Sequence, residues 1–218
     1  RHQIALLYRS NAQSRVLEHH LFTQGIPYRV HGGLRFFDRQ EIKHALAYLR
    51  LIANPDDDTA FTRVVNFPTR GIGSRSIEAL QEAAQQTNSS LYNAAASLAG
   101  KAGSAVTRFV RLIEIMRSET RDLPLPAVID RLIEKSGLRQ HYLAEKEGQY
   151  RLENLDELIN AATAFLREEN SSPSDSASDG EAVPDGGPLA SFLAHASLEA
   201  GEHQAGEGRE GRQARTAR

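Results

Sequence analysis

The spacing of apolar residues changes near residue 36 and divides the chain into two unlike parts. Before that point, a short apolar run IALLY (4–8), an amphipathic stretch SRVLEHHLFTQG (14–25) and a second run IPYRVHG (26–32) predict a β-α-β unit. Gly25 is a typical helix stop. Because two short strands and one helix leave a sheet with open edges, we expect the partner strands to precede residue 1 or to follow residue 218.

After residue 36 the apolar spacing is helical. In DRQEIKHALAYLRLIANP, Asp38 and Glu41 predict a capping box at the start of a helix, and Pro55 predicts its end. The apolar face of this helix comprises Ile42, Ala45, Leu46, Leu49, Ile52 and Ala53, and Arg39, Lys43 and Arg50 share another face. Further helices are predicted for DDTAFTRVVNF, SRSIEALQEAAQQ, AVTRFVRLIEIMRSE, LPAVIDRLIEKSG and RLENLDELINAATAFLREE.

The C-terminal part contains two stretches without a helical pattern. Residues 168–188 are rich in Ser, Asp, Pro and Gly, and they predict a disordered acidic loop. A short helix is predicted for residues 189–200, and residues 201–218 are predicted to form a disordered tail. The predicted fold class is therefore mostly α, with a helical domain of residues 32–167 attached to the incomplete β-α-β piece of residues 1–31.

Charge is distributed unevenly, although the net charge of the whole chain is only −2. Residues 1–75 carry 11 Lys/Arg against 6 Asp/Glu, a net charge of about +5, whereas residues 153–185 carry 1 against 9, about −8. The basic part is a candidate surface for a polyanion. Solvent-exposed surfaces with opposite net charges and no binding partner would explain these residue counts equally well.

Composition limits the compartment and the available chemistry. The chain contains no cysteine, which excludes disulfides, thiolate zinc sites and cysteine nucleophiles. It also lacks an apolar run of bilayer length and a secretory signal pattern. We therefore expect a cytoplasmic protein that makes no contact with a membrane.

Residue types that are common in enzyme active sites occur in this chain, but their spacing does not match an active-site motif. Gly100-Lys101 is followed by Ala102 instead of Ser or Thr, so it is not a phosphate-binding loop. Three consecutive carboxylates at 56–58 follow Asn54-Pro55, which favours the acidic start of a helix over a metal site. His19 and His20 are adjacent on a helix and point about 100° apart, which disfavours a shared metal ion. We predict no catalytic residue and no metal ligand.

The stretch NFPTRGIGSRSIEAL (66–80) combines glycines with positive charge. Glycine permits a close approach of the backbone to a ligand, and a helix that begins near Ser74 directs unpaired N–H groups toward the turn. These backbone N–H groups, together with the positive charges of Arg63, Arg70 and Arg75, predict a phosphate-binding site. A tight turn between two helices with surface arginines is the alternative.

Several blocks of the sequence, in order, resemble the UvrD/PcrA/Rep family of superfamily 1 DNA helicases over roughly residues 1–203. The blocks are IALLYRSNAQSRVLE, GIPYRVHGGLRFFDRQEIKHALAYLRLIANPDDDTAFTRVVNFPTRGIGSRSIEAL, RLIEKSGLR, RLENLDELI and LASFLAHASLEAGE. The resemblance implies a piece of an ATP-driven enzyme that moves 3′ to 5′ on single-stranded DNA and separates duplex. It further implies that residues 1–31 belong to the RecA-like motor domain 2A and that the helices belong to the accessory domain 2B.

The resemblance also implies roles for individual residues. Arg9, Asn11 and Arg35 would contact single-stranded DNA, and the hairpin would hold duplex DNA through Thr69, Arg70, Gly71, Ile72, Gly73, Ser74 and Arg75. A second helix turn, Ser136 to Arg139, could touch duplex, although a glycine C-cap is an equally good interpretation. The expected partners are DNA with a single/double-strand junction, the remaining helicase domains and repair proteins.

The chain departs from the family pattern in its chemistry and at its end. The phosphate loop and the DExx carboxylates of such helicases are missing from this sequence. ATP and Mg²⁺ would therefore act in the intact helicase, and we expect this chain alone to bind neither and to have no ATPase activity. The tail GREGRQARTAR does not continue as a motor strand, which suggests a truncated or frame-altered end. Two alternatives remain: a non-catalytic helical module that binds DNA or protein, and a piece of a related nuclease-helicase subunit.

Overall fold

A computed structural model describes residues 4–9, 13–28, 30, 35–146, 148–171 and 187–201 of the chain. In these ranges the chain is mostly helical, with short 3₁₀ turns at Phe36–Asp38 and Ala95–Ser97. The α-helices are α1 Ser14–Thr23, α2 Gln40–Ala53, α3 Asp58–Val64, α4 Ser74–Thr87, α5 Leu91–Ala94, α6 Gly100–Thr120, α7 Leu125–Lys135, α8 Leu138–Leu143, α9 Gly148–Ser171 and α10 Gly187–Gly201.

Neither predicted strand is seen among the described residues, and residues 29, 31 and 32 of the second one lie outside them. Residues 4–8 and 26–28 are described, yet neither stretch lies in a sheet, and the described residues contain no strand. A strand needs a neighbour for its N–H and C=O groups, and the β-α-β pattern alone supplies none on its open edges. Leu7 is accordingly 95% exposed, although its residue type favours burial. The helix between them is confirmed as α1, and Gly25 follows its end with φ +59°.

Helix α2 is the centre of the helical part. It packs against α3, α6, α7, α9 and α10, so its buried surface extends well beyond one stripe. Ile42, Ala45, Leu46 and Leu49 of the predicted apolar face are buried, and Tyr48 and Leu51 are buried as well. A helix enclosed on several sides forms a core with its neighbours, so its environment is set by tertiary packing more than by amphipathic spacing.

The start of α2 differs from the predicted capping box. Arg39 occupies the N-cap, and in the described part of the chain no side-chain hydrogen bond caps the helix. Asp38 instead forms an ion pair with Lys43, with 2.8 Å between Oδ1 and Nζ. Glu41 is buried and accepts a hydrogen bond from Asn154 Nδ2 at 2.6 Å. The predicted end holds, because α2 stops at Ala53, before Pro55.

A buried polar network joins the start of α1 to α2 and α9. Arg39, which shares a helix face with Lys43 and Arg50 in the sequence pattern, is buried and donates from Nη1 to Asn154 Oδ1 at 2.9 Å. Its Nη2 donates to Ser14 Oγ at 2.7 Å. Asn154 is therefore bonded to a cation on one side and to the Glu41 carboxylate on the other, which satisfies both buried charges.

The acidic run 56–58 starts a helix, as predicted. The Asp57 side chain caps α3 by accepting a hydrogen bond from Ala60 N at 2.8 Å. Asp58 Oδ1 accepts from Leu91 N at 2.8 Å, and Asp56 Oδ1 accepts from Asn93 Nδ2 at 2.9 Å. These carboxylates join α3 to α5, which explains the run without a metal ion.

The C-terminal helices bound the predicted acidic loop. Helix α9 extends to Ser171 and α10 begins at Gly187, so four residues at the start of that stretch and two at its end are helical. Residues 172–186 and the predicted tail 202–218 lie outside the described residues. No helix in the described ranges combines the length and the apolar character needed to cross a bilayer.

Candidate nucleic-acid interface

The turn of residues 65–73 joins α3 to α4 and has a fixed conformation. Asn66 Oδ1 accepts hydrogen bonds from the N–H groups of Arg70 at 2.9 Å and Ile72 at 3.1 Å. Ile72 is 1% exposed and belongs to the hydrophobic core. The hydrogen bonds to the Asn66 side chain and the burial of Ile72 therefore stabilise the conformation of the turn.

Two glycines turn the backbone outward on either side of Ile72. Gly71 has φ +74°, a conformation that residues with a Cβ rarely adopt, whereas Gly73 is extended with φ −85° and ψ 174°. A Cβ atom on either glycine would have no atom of the described residues within 4 Å. The backbone at both positions consequently faces open space, where a ligand could approach closely.

Backbone N–H groups at this surface are available for an anion. Within the described part of the chain, the N–H groups of Gly71, Gly73, Ser74 and Arg75 have no hydrogen-bond acceptor. Helix α4 begins at Ser74, as predicted, and has no acidic residue in its first turn. The positive end of a 14-residue helix dipole thus adds to these donors.

Arg70 does not extend into solvent. Its Nη1 donates to the carbonyl oxygens of Val64 at 3.2 Å and Pro68 at 2.9 Å. Its Nη2 donates to Tyr48 Oη at 2.6 Å and to the Ser136 carbonyl oxygen at 2.8 Å. The guanidinium carbon also lies 5.4 Å from the centre of the Phe109 ring. The structure gives Arg70 a positioning role in the turn, whereas Thr69, Ser74 and Arg75 are exposed.

An aromatic wall supports the turn from inside the helical part. His44 stacks on Phe67 with 3.7 Å between ring centres, and its Nδ1 lies 3.1 Å from Tyr142 Oη. Burial, with a smaller contribution from the nearby Arg63, lowers the pKa of His44 to about 4. Burial likewise raises the pKa of Tyr48 to about 12, so both groups are neutral at neutral pH. The roles of Tyr48, Asn66 and His44 were not predictable from the sequence, since each acts through contacts that have no local sequence signal.

The second turn, at Ser136 to Arg139, is a helix C-cap. Gly137 follows Ser136, the C-cap residue of α7, and has φ +82°. Leu138 is fully buried, and Arg139 pairs with Asp156 at 3.2 Å. This turn also lies against the first one, because a Cβ on Gly137 would be 3.9 Å from Pro68 Cγ. These contacts support the C-cap interpretation and give the turn a structural role behind Arg70.

The residues predicted to contact single-stranded DNA are, where the structure describes them, not hydrogen-bonded to this turn. Arg9 is exposed, and its N–H donates to Gln13 Oε1 at 3.1 Å. Arg35 is half-buried and precedes the 3₁₀ turn at Phe36. Asn11 lies outside the described residues. Among the described residues, no hydrogen bond or ion pair connects Arg9 or Arg35 to residues 69–75.

A UvrD-like helicase C-terminal domain model matches residues 1–210 of the chain. DNA helicase II of Escherichia coli (strain K12) is 49% identical over 211 residues, which cover 93% of this chain and 28% of that protein. DNA helicase II of Haemophilus influenzae is 46% identical over 209 residues, covering 92% of this chain and 27% of the relative. ATP-dependent DNA helicase PcrA of Bacillus subtilis (strain 168) is 41% identical over 169 residues, covering 74% and 23%. The chain thus spans less than a third of the length of the curated relatives it matches.

Proposed function

The chain belongs to the family of UvrD-like helicase C-terminal domains, and from this premise we propose that it is part of an ATP-dependent DNA helicase. Its relatives carry the names DNA helicase II and ATP-dependent DNA helicase PcrA. In this proposal residues 1–31 are a piece of motor domain 2A and the helices are domain 2B of a translocase that moves 3′ to 5′. The partners are DNA with a single/double-strand junction, the other helicase domains and repair proteins.

The turn of residues 69–75 contacts the duplex backbone in this proposal. The observation that carries it is a set of N–H groups at a helix N-terminus that have no acceptor among the described residues, those of Gly71, Gly73, Ser74 and Arg75. Phosphate oxygens accept hydrogen bonds from such groups whatever the base sequence, which suits an enzyme that moves along DNA.

The residues of the turn then divide into two roles. Thr69, Ser74 and Arg75 are exposed beside the free N–H groups, so they contact phosphate. Ile72 and Arg70 hold the shape of the turn from inside, the first through core packing and the second through its four hydrogen bonds. Arg9, Asn11 and Arg35 are the proposed contacts to single-stranded DNA.

The stretch Gly100-Lys101-Ala102 does not fit a phosphate-binding loop for ATP. Gly100 and Lys101 begin α6 and follow the 3₁₀ turn at Ala95–Ser97, whereas a phosphate loop joins a strand to a helix. Ala102 also stands where the hydroxyl ligand of Mg²⁺ would be required. In this proposal ATP hydrolysis belongs to parts of the helicase outside this sequence.

Binding of the purified chain to a duplex with a 3′ single-stranded tail tests the role of the turn. Phosphate contacts predict an affinity that falls steeply with salt concentration. Gly73→Val is compatible with the extended backbone at this position but covers the N–H groups, and we expect about tenfold weaker binding, the equivalent of one charge-assisted hydrogen bond. Arg75→Ala should weaken binding and reduce the salt slope by about 1.

Arg121→Ala is the matched control, because Arg121 is also exposed but follows α6, away from this turn in the sequence. It should leave the affinity unchanged. If Gly73→Val and Arg75→Ala bind DNA as tightly as the unaltered chain, the turn does not contact phosphate. That result would instead favour a non-catalytic helical module whose basic residues are incidental.

A further inference from the structure

Three side chains of types that often bind metal ions come from opposite ends of the chain and meet between α1 and α10. His19 lies on α1, and His195 and Glu199 lie one turn apart on α10. One ligand atom from each, two imidazole nitrogens and a carboxylate oxygen, all lie within 4.8 Å of one another. Glu199 Oε1 is 2.8 Å from His19 Nδ1 and 2.9 Å from His195 Nε2.

The cluster is largely shielded from solvent. The side chains of Glu199 and His19 are only 7% and 12% exposed, and that of His195 is 25% exposed. Phe165 covers the cluster, with its ring centre 5.3 Å from that of His195. An apolar wall beside two imidazoles and a carboxylate lowers the local dielectric constant and strengthens the attraction between a cation and the carboxylate.

A second carboxylate orients the first histidine. Glu168 Oε1, from α9, lies 3.1 Å from His19 Nε2, the ring nitrogen opposite to the one that faces Glu199. Histidines that ligate metal ions usually donate their other N–H to a carboxylate, which fixes the tautomer and increases the basicity of the ligating nitrogen. Glu168 stands in that position relative to His19.

We propose that His19, His195 and Glu199 bind a divalent transition ion of the zinc class, with Glu168 as the positioning residue of His19. Two imidazoles and one carboxylate suit Zn²⁺, and three protein ligands leave a fourth position for water. Tetrahedral ligand atoms about 2.0–2.1 Å from zinc lie roughly 3.3 Å apart. The ligand atoms that are 2.8–2.9 Å apart in the hydrogen-bonded cluster thus need to separate by a few tenths of an ångström.

The site would link the N-terminal piece of the chain to its last described helix. Helix α1 and helix α10 are separated by the entire helical part in sequence, so a shared ion acts as a cross-link between them. This site was not predictable from the sequence, because His19 lies beside His20 and the side chains that contact it lie on a distant helix.

Calorimetric titration of the full 218-residue chain with ZnCl₂, after treatment with a chelator, tests the proposal. We expect one zinc ion per chain and a thermal unfolding midpoint that rises with zinc concentration. His19→Ala and His195→Ala should each abolish this binding. Glu168→Gln, at a side chain that is 55% exposed, should weaken it about 10- to 100-fold without disturbing the fold.

His20→Ala is the matched control, since His20 is the exposed neighbour of His19 on the same helix. It should leave the stoichiometry and the affinity unchanged. Replacement of zinc by Co²⁺ gives a second readout, because visible absorption of tetrahedral cobalt requires the proposed ligands. Absence of zinc binding, or binding that His195→Ala and Glu168→Gln leave intact, would overturn the proposal and make the cluster a hydrogen-bonded ion group only. Circular dichroism of each variant verifies its helical content.

Discussion

The guanidinium of Arg70 connects two turns that are 66 residues apart in the sequence. It binds the carbonyl oxygens of Val64 and Pro68 in its own turn and that of Ser136 in the other. Carbonyl groups at turns lack the partners that a helix interior provides, so one planar group with several donors replaces those partners. Arg75, five residues later, is exposed, so its positive charge lies at the surface.

Arg70→Ala should lower the free energy of unfolding by about 2–4 kcal/mol, because three carbonyl groups and the Tyr48 hydroxyl each lose a hydrogen-bond donor. Arg70→Lys should recover little, since an ammonium group cannot reproduce the planar set of contacts. Urea unfolding measures both. Arg75→Ala is the control and should change stability by less than about 0.5 kcal/mol. Equal stability of the Arg70 and Arg75 variants would contradict the positioning role.

His44 should make stability depend on pH in a defined window. Its folded-state pKa is lowered to about 4 from an ordinary value of 6.5, first by burial and then by the charge of Arg63. The unfolded chain therefore takes up a proton at this site at higher pH than the folded chain does. The stabilisation is complete above about pH 6.5 and is lost as the pH falls toward 4, a loss of about 3 kcal/mol.

Urea unfolding of the unaltered chain and of His44→Gln at several pH values isolates this contribution, because the other titrating groups are common to both proteins. The stability difference between the two should shrink by about 3 kcal/mol between pH 7 and pH 4. The same substitution at exposed His20 controls for the loss of a histidine as such. A difference that stays constant over this range would show that His44 is not buried in its neutral form.

At the scale of elements, helix boundaries were predictable where a local residue determines them. Gly25, Pro55 and Asp57 mark ends and starts that the structure confirms, since each acts on the backbone beside it. Asp38 and Glu41 had the spacing of a capping box, but distant partners on α9 and the nearby Lys43 engage them instead. Local patterns fail where a buried tertiary partner offers a stronger bond.

The two glycines of the candidate interface should respond differently to alanine. Gly71→Ala places a Cβ on a residue with φ +74° and should cost about 1–2 kcal/mol, whereas Gly73 has φ −85° and its replacement should cost under about 0.5 kcal/mol. Neither Cβ meets another atom within 4 Å, so the difference isolates backbone strain. Urea unfolding of both variants measures it, and equal costs would contradict the left-handed conformation at Gly71.

At the scale of the whole molecule, the sequence predicted a mostly helical fold and the position of the candidate turn. It also predicted that residues 4–8 and 26–32 need strand partners from elsewhere, and the exposed Leu7 is consistent with that need. Long-range polar contacts were not predictable. Asn154 has no sequence signal that couples it to Arg39 and Glu41, more than a hundred residues earlier, and the same holds for His19 and His195.

Asn154→Leu tests whether the helical part depends on the buried polar network. Asn154 is fully buried and bonds both the Arg39 guanidinium and the Glu41 carboxylate, so leucine leaves two buried charges without that partner. Loss of one partner of buried charges costs about 3–5 kcal/mol, even though leucine is a better helix former than asparagine.

Asn160→Leu, at an exposed position on the same helix α9, makes the same chemical change without burial and should stay within about 0.5 kcal/mol of the unaltered chain. If both leucine variants unfold at the same urea concentration, the network contributes nothing to stability, and apolar packing around α2 alone holds α1, α2 and α9 together.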